Sequence, residues 1–216
     1  MKQLKLFPPI HHAIKFALRG RLLTAICLLA VISPASAHEF GVGKDAYEDF
    51  LSGNQAVLAD LPVLLGLVAA GLLAAIWKPD GFPMLRLPYI GGVLAGAALG
   101  FSALLEPVLP AYAAVVFLGV LGALAPSLTT RAMRGLYFLI GVVLTNAVLS
   151  GHTISEVPPA AYLGIFIALN LVVACCARLV FLSLQFFPYG WVTIAWRAGS
   201  SWLVAIAIMA LALMLR

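Results

Sequence analysis

Charged residues are scarce in this chain. Lys, Arg, Asp and Glu make up only 10% of its 216 residues, whereas a soluble domain carries about 25%. Together with 63% hydrophobic residues and a mean hydropathy of +1.09, this excludes disorder, a nucleic-acid-binding domain and an ordinary globular enzyme. Cysteine is also rare, and three residues exclude a disulfide framework. The composition predicts an all-α polytopic membrane protein in contact with the lipid bilayer.

The first 37 residues have the features of a secretory signal peptide. A basic segment with five Lys or Arg precedes an 11-residue apolar run at 22–32, and a small-residue stretch follows with an A-x-A pattern ending at Ala37. The run is too short to cross a bilayer core of about 30 Å at about 1.5 Å per residue. We predict cleavage after Ala37, and an uncleaved anchor is the alternative. Cleavage leaves eight basic and eight acidic residues, so the formal charge of +5 does not indicate an acidic partner.

The mature chain, residues 38–216, is predicted to be one domain. Its apolar blocks have the length of bilayer-spanning helices, about 17–25 residues. They predict six spans, at 57–77, 87–105, 108–125, 134–150, 160–182 and 198–215. Glycines at four-residue spacing on the second span, Gly92, Gly96 and Gly100, predict close helix packing. Aromatic residues near the span ends, among them Tyr89 and Tyr137, fit interfacial belts.

The distribution of Lys and Arg predicts the orientation. If the mature N-terminus is exported, the inner breaks hold the basic residues Lys78, Arg86, Arg131, Arg134 and Arg197. The outer breaks after the second and fourth spans hold Glu106, His152 and Glu156 without Lys or Arg. This positive-inside pattern predicts a membrane protein whose mature N-terminus is on the exported side.

Three residues are candidate metal ligands. Asp60 lies one turn into the first predicted span, where it is either a cation ligand at an outward-facing mouth or a first-turn carboxylate favoured by the helix dipole. His38 becomes the N-terminal residue on cleavage, and its amine and imidazole together suit copper or nickel; a solvated terminus is the alternative. His152 lies alone in an outer loop. The chain has no catalytic motif of the HExxH or GxSxG kind and no phosphate-binding glycine loop, so we do not expect an enzyme or a resident cofactor.

Several stretches of the chain resemble the hydrogenase/urease accessory proteins of the HupE/UreJ family. The stretches are the Ala37-His38 junction, FLSG at 50–53, LLGLVAAGLLAA at 64–75, LAGAALG at 94–100, the loop that begins SGH at 150–152, and RAG at 197–199. The resemblance covers nearly all of the mature chain. It implies a six-span inner-membrane protein that acts as a nickel or cobalt permease.

The chain departs from the histidine motifs typical of that family. In an ungapped count from Gly53, the family's first-span histidine falls on Ala56 and its Asp-His pair on Pro62 and Val63. Of the later histidine-rich stretch, only His152 is present. Two hypotheses follow: a HupE/UreJ-like metal-transport or accessory protein with a rearranged site, or a non-transporting membrane scaffold that binds a partner protein.

Overall fold

The structure, a computed structural model, describes residues 45–78, 81–100, 108–152 and 156–214. The predicted signal peptide and His38 lie outside these residues. The described part of the chain contains seven α-helices and no strand, which confirms the all-α class. The helices are α1 (Ala46–Ala59), α2 (Leu61–Trp77), α3 (Gly81–Gly100), α4 (Val108–Leu124), α5 (Thr130–Leu149), α6 (Pro159–Phe186) and α7 (Gly190–Met214).

The chain bends sharply at Asp60. Residues 57–77 do not form the single continuous helix that was predicted, because α1 and α2 meet at an angle of 77° around Asp60. Asp60 has an extended backbone (φ −75°, ψ 103°) and occupies the N-cap of α2. Pro62 explains the break, since a proline in the first turn of a helix has no N–H to continue a preceding one.

Helix α2 is the centre of the bundle. Of its 17 residues 11 are buried, on every face of the helix, as expected for a helix that is apolar all round. It contacts all six of the other helices, most extensively α6 and α4.

Helices α3 and α5 pack against each other along glycines. A Cβ atom added to Gly92 would lie 2.0 Å from the carbonyl oxygen of Phe138, and one added to Gly96 would lie 2.6 Å from that of Val142. Gly100 continues the same row against Leu149. Contacts advance in the same direction along both helices, so the two helices are parallel. The predicted packing role of the glycine face is confirmed.

Two further helix pairs use the same device. Gly53 of α1 faces the backbone of Ala161, and Gly164 of α6 faces the backbone of Phe50. Gly119 and Gly122 of α4 both face Ser200 of α7. In each pair the contacts run in opposite directions along the two helices, so both pairs are antiparallel.

Tyr89 and Tyr137 lie inside the bundle, so their assignment to interfacial belts is wrong. Both side chains are fully buried, with ring centroids 6.5 Å apart in an edge-to-face arrangement. The Tyr89 hydroxyl donates to the carbonyl oxygen of Leu169 at 3.1 Å, and the Tyr137 hydroxyl donates to that of Ala70. A phenol is tolerated in the core because its hydroxyl finds a backbone acceptor.

Four described helices are long and apolar enough to cross a membrane: α3, α5, α6 and α7. A fifth is added if the bent pair α1–α2 counts as one span. Helix α4 is also apolar but has only 17 residues. The protein is therefore a helical membrane-embedded protein.

Candidate functional site

A cavity of about 360 Å³ lies where α2 and α4 begin and α5 ends. We call this region the cavity end of the bundle. Among the residues that the structure describes, three polar side chains line the cavity: Asp60, Ser150 and His152. The remaining lining residues are small and apolar: Ala56, Ala59, Pro62, Val108, Ala111, Ala147 and Val148. The cavity thus combines a carboxylate, a hydroxyl and an imidazole with apolar walls.

Asp60 is placed at the cavity by the break between α1 and α2. Its carboxylate Oδ1 accepts a hydrogen bond from the backbone N–H of Val63 at 3.1 Å, which caps the first turn of α2. The side chain is half-buried. The favourable interaction of a carboxylate with a helix N-terminus, one of the two alternatives for this residue, is therefore present in the structure. It leaves the carboxylate on the cavity wall.

His152 reaches the cavity because the chain turns back after α5. Ser150 ends the helix with an extended backbone, and its N–H donates to the carbonyl oxygen of Asn146 at 2.9 Å. Gly151 follows with a φ of +82°, a left-handed conformation that glycine adopts without strain. The N–H of His152 then donates to the carbonyl oxygen of Leu149 at 3.3 Å. This turn places an imidazole over the end of α5.

The structure brings together two of the three predicted metal ligands. Asp60 and His152 are 92 positions apart in the sequence and line the same cavity. His38 lies outside the described residues. Of the three positions on which the ungapped count from Gly53 places the motif residues, Ala56 and Pro62 also line this cavity, whereas Val63 is buried in the core.

Sequence reasoning missed two groups near this cavity. Ser150 contributes a hydroxyl, which donates to the carbonyl oxygen of Ala147 at 3.0 Å. Tyr112 of α4 is buried and lies close enough to Asp60 for the phenol and the carboxylate to interact electrostatically. The sequence signal that could have placed Tyr112 near the cavity was its position at the start of α4, directly after the lining residue Ala111.

The cavity supplies a metal ion with only part of a coordination shell. Among the described residues, no three His, Cys, Asp or Glu side chains are grouped closely enough to hold a metal ion. A carboxylate and an imidazole both suit divalent transition metals. The described lining of the cavity therefore supplies two such groups, Asp60 and His152.

The bundle closes directly beneath the cavity. One turn further into α5 from Val148, the Leu144 side chain is fully buried. It packs so closely on α2 that a Cβ at Gly66 would lie 2.7 Å from one of its methyl groups. Val63 and Leu67 of α2 are fully buried in the same cluster. Below the cavity, the described core is therefore close-packed and largely apolar, with the buried Thr145 as a polar side chain beside Leu144.

The opposite end of the bundle carries the described basic side chains, and we call it the cation end. Here α2 and α4 end and α5 begins: the indole N–H of Trp77 donates to the carbonyl oxygen of Leu128 at 2.9 Å. Arg197 of α7 donates through Nε to the carbonyl oxygen of Ala123 at 2.7 Å, which caps the end of α4. The described Lys and Arg residues all lie toward this end: Lys78, Arg86, Arg131, Arg134, Arg178 and Arg197. The described acidic residues are Asp60, one residue just before α6, and a group at the start of α1.

No protein-family model, curated protein or solved structure matches this chain.

Proposed function

We propose that this chain is a HupE/UreJ-like inner-membrane protein that binds a divalent nickel or cobalt ion, in a metal-handling or accessory role. One observation supports this proposal above the others. The cavity that contains Asp60 and His152 is also lined by Ala56 and Pro62, two positions to which the resemblance assigns the family's first-span ligands. The ligands have changed, but they surround the same space.

The proposed topology has six spans with both mature termini on the periplasmic side. Helix α2 forms the first span, and α1, which is antiparallel to α6, does not continue it. Helices α2 and α4 have 17 residues each and cross as short spans of about 25 Å at about 1.5 Å per residue. The separation of charge between the two ends of the bundle supports this orientation. Lys and Arg favour the cytoplasmic side, so the cation end is cytoplasmic and the cavity opens toward the periplasm.

The proposed role is binding at the periplasmic face, with little or no conduction along the family's usual route. A divalent cation in hydrocarbon has a large desolvation cost unless groups along its path coordinate or neutralise it. Leu144, packed against Gly66, blocks a straight path from the cavity along α5. The proposed role includes no enzymatic activity.

Metal binding and uptake in a transporter-deficient host test this proposal. We expect cells expressing the intact chain to accumulate little nickel or cobalt. We expect the purified protein to bind nickel through the cavity, and Asp60→Asn and His152→Ala to lose most of that affinity. His38→Ala separately tests binding by the N-terminal amine and imidazole. Robust uptake that Asp60→Asn abolishes would contradict the proposal and favour a permease.

A gain-of-ligand variant sharpens the test. Ala56→His introduces an imidazole at the position where the resemblance places the family's first histidine, on the wall shared with Asp60 and His152. Three protein ligands hold a transition metal far better than two, so we expect nickel to bind at least tenfold more tightly. Ala113→His, on an exposed face of α4, is the matched control and leaves affinity unchanged.

The second candidate function is that of a non-transporting scaffold subunit. It is supported by α7, the least buried of the candidate spans, which exposes large apolar side chains such as Trp202 and Met209. Such a face suits contact with lipid or with a partner helix. Photo-crosslinking from position 202 in native membranes distinguishes the two: a discrete protein adduct supports the scaffold, and adducts with lipid alone do not.

A further inference from the structure

The cavity is much larger than a metal ion needs. Its volume is about 360 Å³, and a water molecule in the liquid takes about 30 Å³, so the space equals about twelve water molecules. An ion held directly by Asp60 and His152 fills a small part of this space. Volumes of roughly 300–1,000 Å³ are typical of sites for small organic molecules.

The walls of the cavity are also unsuited to a hydrated ion. Beside Asp60, Ser150 and His152, the described residues of the lining are alanine, valine and proline. These groups offer no hydrogen bonds to the outer waters of a hydration shell, so burying such waters against them carries a free-energy cost. A few polar groups that converge within an apolar lining are instead the usual composition of a pocket for a small organic ligand.

We propose that the cavity binds the metal as a complex with a small organic chelator of amino-acid size. This inference rests on the proposed function, because it takes metal binding at Asp60 and His152 as given. The chelator supplies the ligands that the protein lacks, its carbon atoms contact Ala147, Val108 and the other apolar walls, and the two side chains complete the shell.

Coordination number and charge both favour such a complex. Divalent nickel takes roughly four to six ligands. One tridentate chelator such as the histidine anion leaves positions for a carboxylate and an imidazole. The complex of one nickel ion with one histidine anion keeps a single positive charge, which the Asp60 carboxylate neutralises. Two histidine anions fill the shell of the metal, so that complex has no position left for the protein.

Isothermal titration of the intact chain in detergent distinguishes the two modes of binding. The probes are nickel chloride alone and nickel chloride with equimolar L-histidine. If the protein binds only the free ion, histidine competes for the metal and weakens binding. If the complex is the ligand, equimolar histidine strengthens binding by at least tenfold, and a large excess of histidine weakens it again.

Cavity-filling variants give the structural test. Ala147→Leu and Val108→Phe reduce the space beside the metal ligands, and we expect each to weaken binding of the nickel–histidine complex at least tenfold while changing binding of nickel alone less than threefold. Ala132→Leu, on an exposed face of α5, is the matched control and leaves both affinities unchanged. Using two filling variants keeps the test decisive if one of them fails to fold.

The outcomes separate this inference from the proposed function. Nickel binding that requires Asp60 and is weakened by equimolar histidine would overturn the inference and leave the proposed function standing. Binding of the complex that is unaffected in both filling variants would also overturn the inference. The absence of binding with both probes would overturn both.

Discussion

Replacing Gly92 with alanine tests whether the contact between α3 and α5 holds the bundle together. The added Cβ would lie 2.0 Å from the carbonyl oxygen of Phe138, and it is also within 3.0 Å of two further backbone atoms of that residue. Because these are backbone atoms, no side-chain rotation relieves the clash. The two helix backbones must therefore move apart to accommodate the added methyl group.

The cost of that separation is large for a single methyl group. Overpacking of a close interface typically destabilises by about 1–3 kcal/mol, and the contact at Gly96 opens at the same time. Helix propensity works in the other direction, since alanine is favoured over glycine by about 1 kcal/mol in a helix. We therefore expect a net loss of about 0–2 kcal/mol for Gly92→Ala, toward the upper value because the contact at Gly96 opens as well.

The neighbouring glycine provides the matched control. A Cβ at Gly91 meets only the Phe138 ring, at 3.7 Å, which is ordinary contact. Gly91→Ala adds the same methyl group to the same helix and is expected to be neutral or slightly stabilising. Unfolding by SDS in mixed micelles, followed by tryptophan fluorescence, measures both variants. Equal stability of the two variants would refute the close approach of α3 and α5.

Three further predictions follow from individual contacts. Tyr137→Phe loses a buried hydrogen bond to the Ala70 carbonyl and should reduce stability by about 0.5–1.5 kcal/mol in the same SDS titration; an unchanged midpoint contradicts this. Arg197→Gln removes the cation that caps α4 and should lower stability by about 0.3–1 kcal/mol, while Arg134→Gln, at the exposed start of α5, serves as the control. Alkaline phosphatase fused after Arg216 should be active and green fluorescent protein dark, and the reverse result would contradict an exported C-terminus.

Much of the fold was predictable because apolar length and glycine spacing are local signals. Residues 130–149 and 159–186 form single helices around the predicted fourth and fifth spans. Gly92, Gly96 and Gly100 share a face at any helical geometry, so their role in packing followed from spacing alone. The helix that packs against that face could not be predicted from spacing, because the pairing of α3 with α5 depends on the arrangement of the whole bundle.

The position of Tyr89 and Tyr137 shows where local signals fail. Both residues lie within a few turns of a span end, where interfacial and buried aromatic residues both occur. What decides between them is a backbone acceptor within reach of the hydroxyl. Those acceptors belong to Leu169 and Ala70, which lie 80 and 67 positions away in the sequence, so no local pattern contains them.

The candidate site combines both kinds of information. Asp60 was identifiable from the sequence because a carboxylate in an apolar stretch requires an explanation. Its surroundings were not identifiable, because the continuous span predicted across 57–77 would have placed it within a helix, whereas the break at Pro62 places it at the N-cap of α2. The same break turns Ala56 and Ala59 toward the space that His152 reaches after the turn at Gly151. Under the proposed function, Ala56 and Pro62 form small apolar walls beside the Asp60 carboxylate and the His152 imidazole. Such a space favours a metal that arrives with organic ligands over one that arrives with water alone.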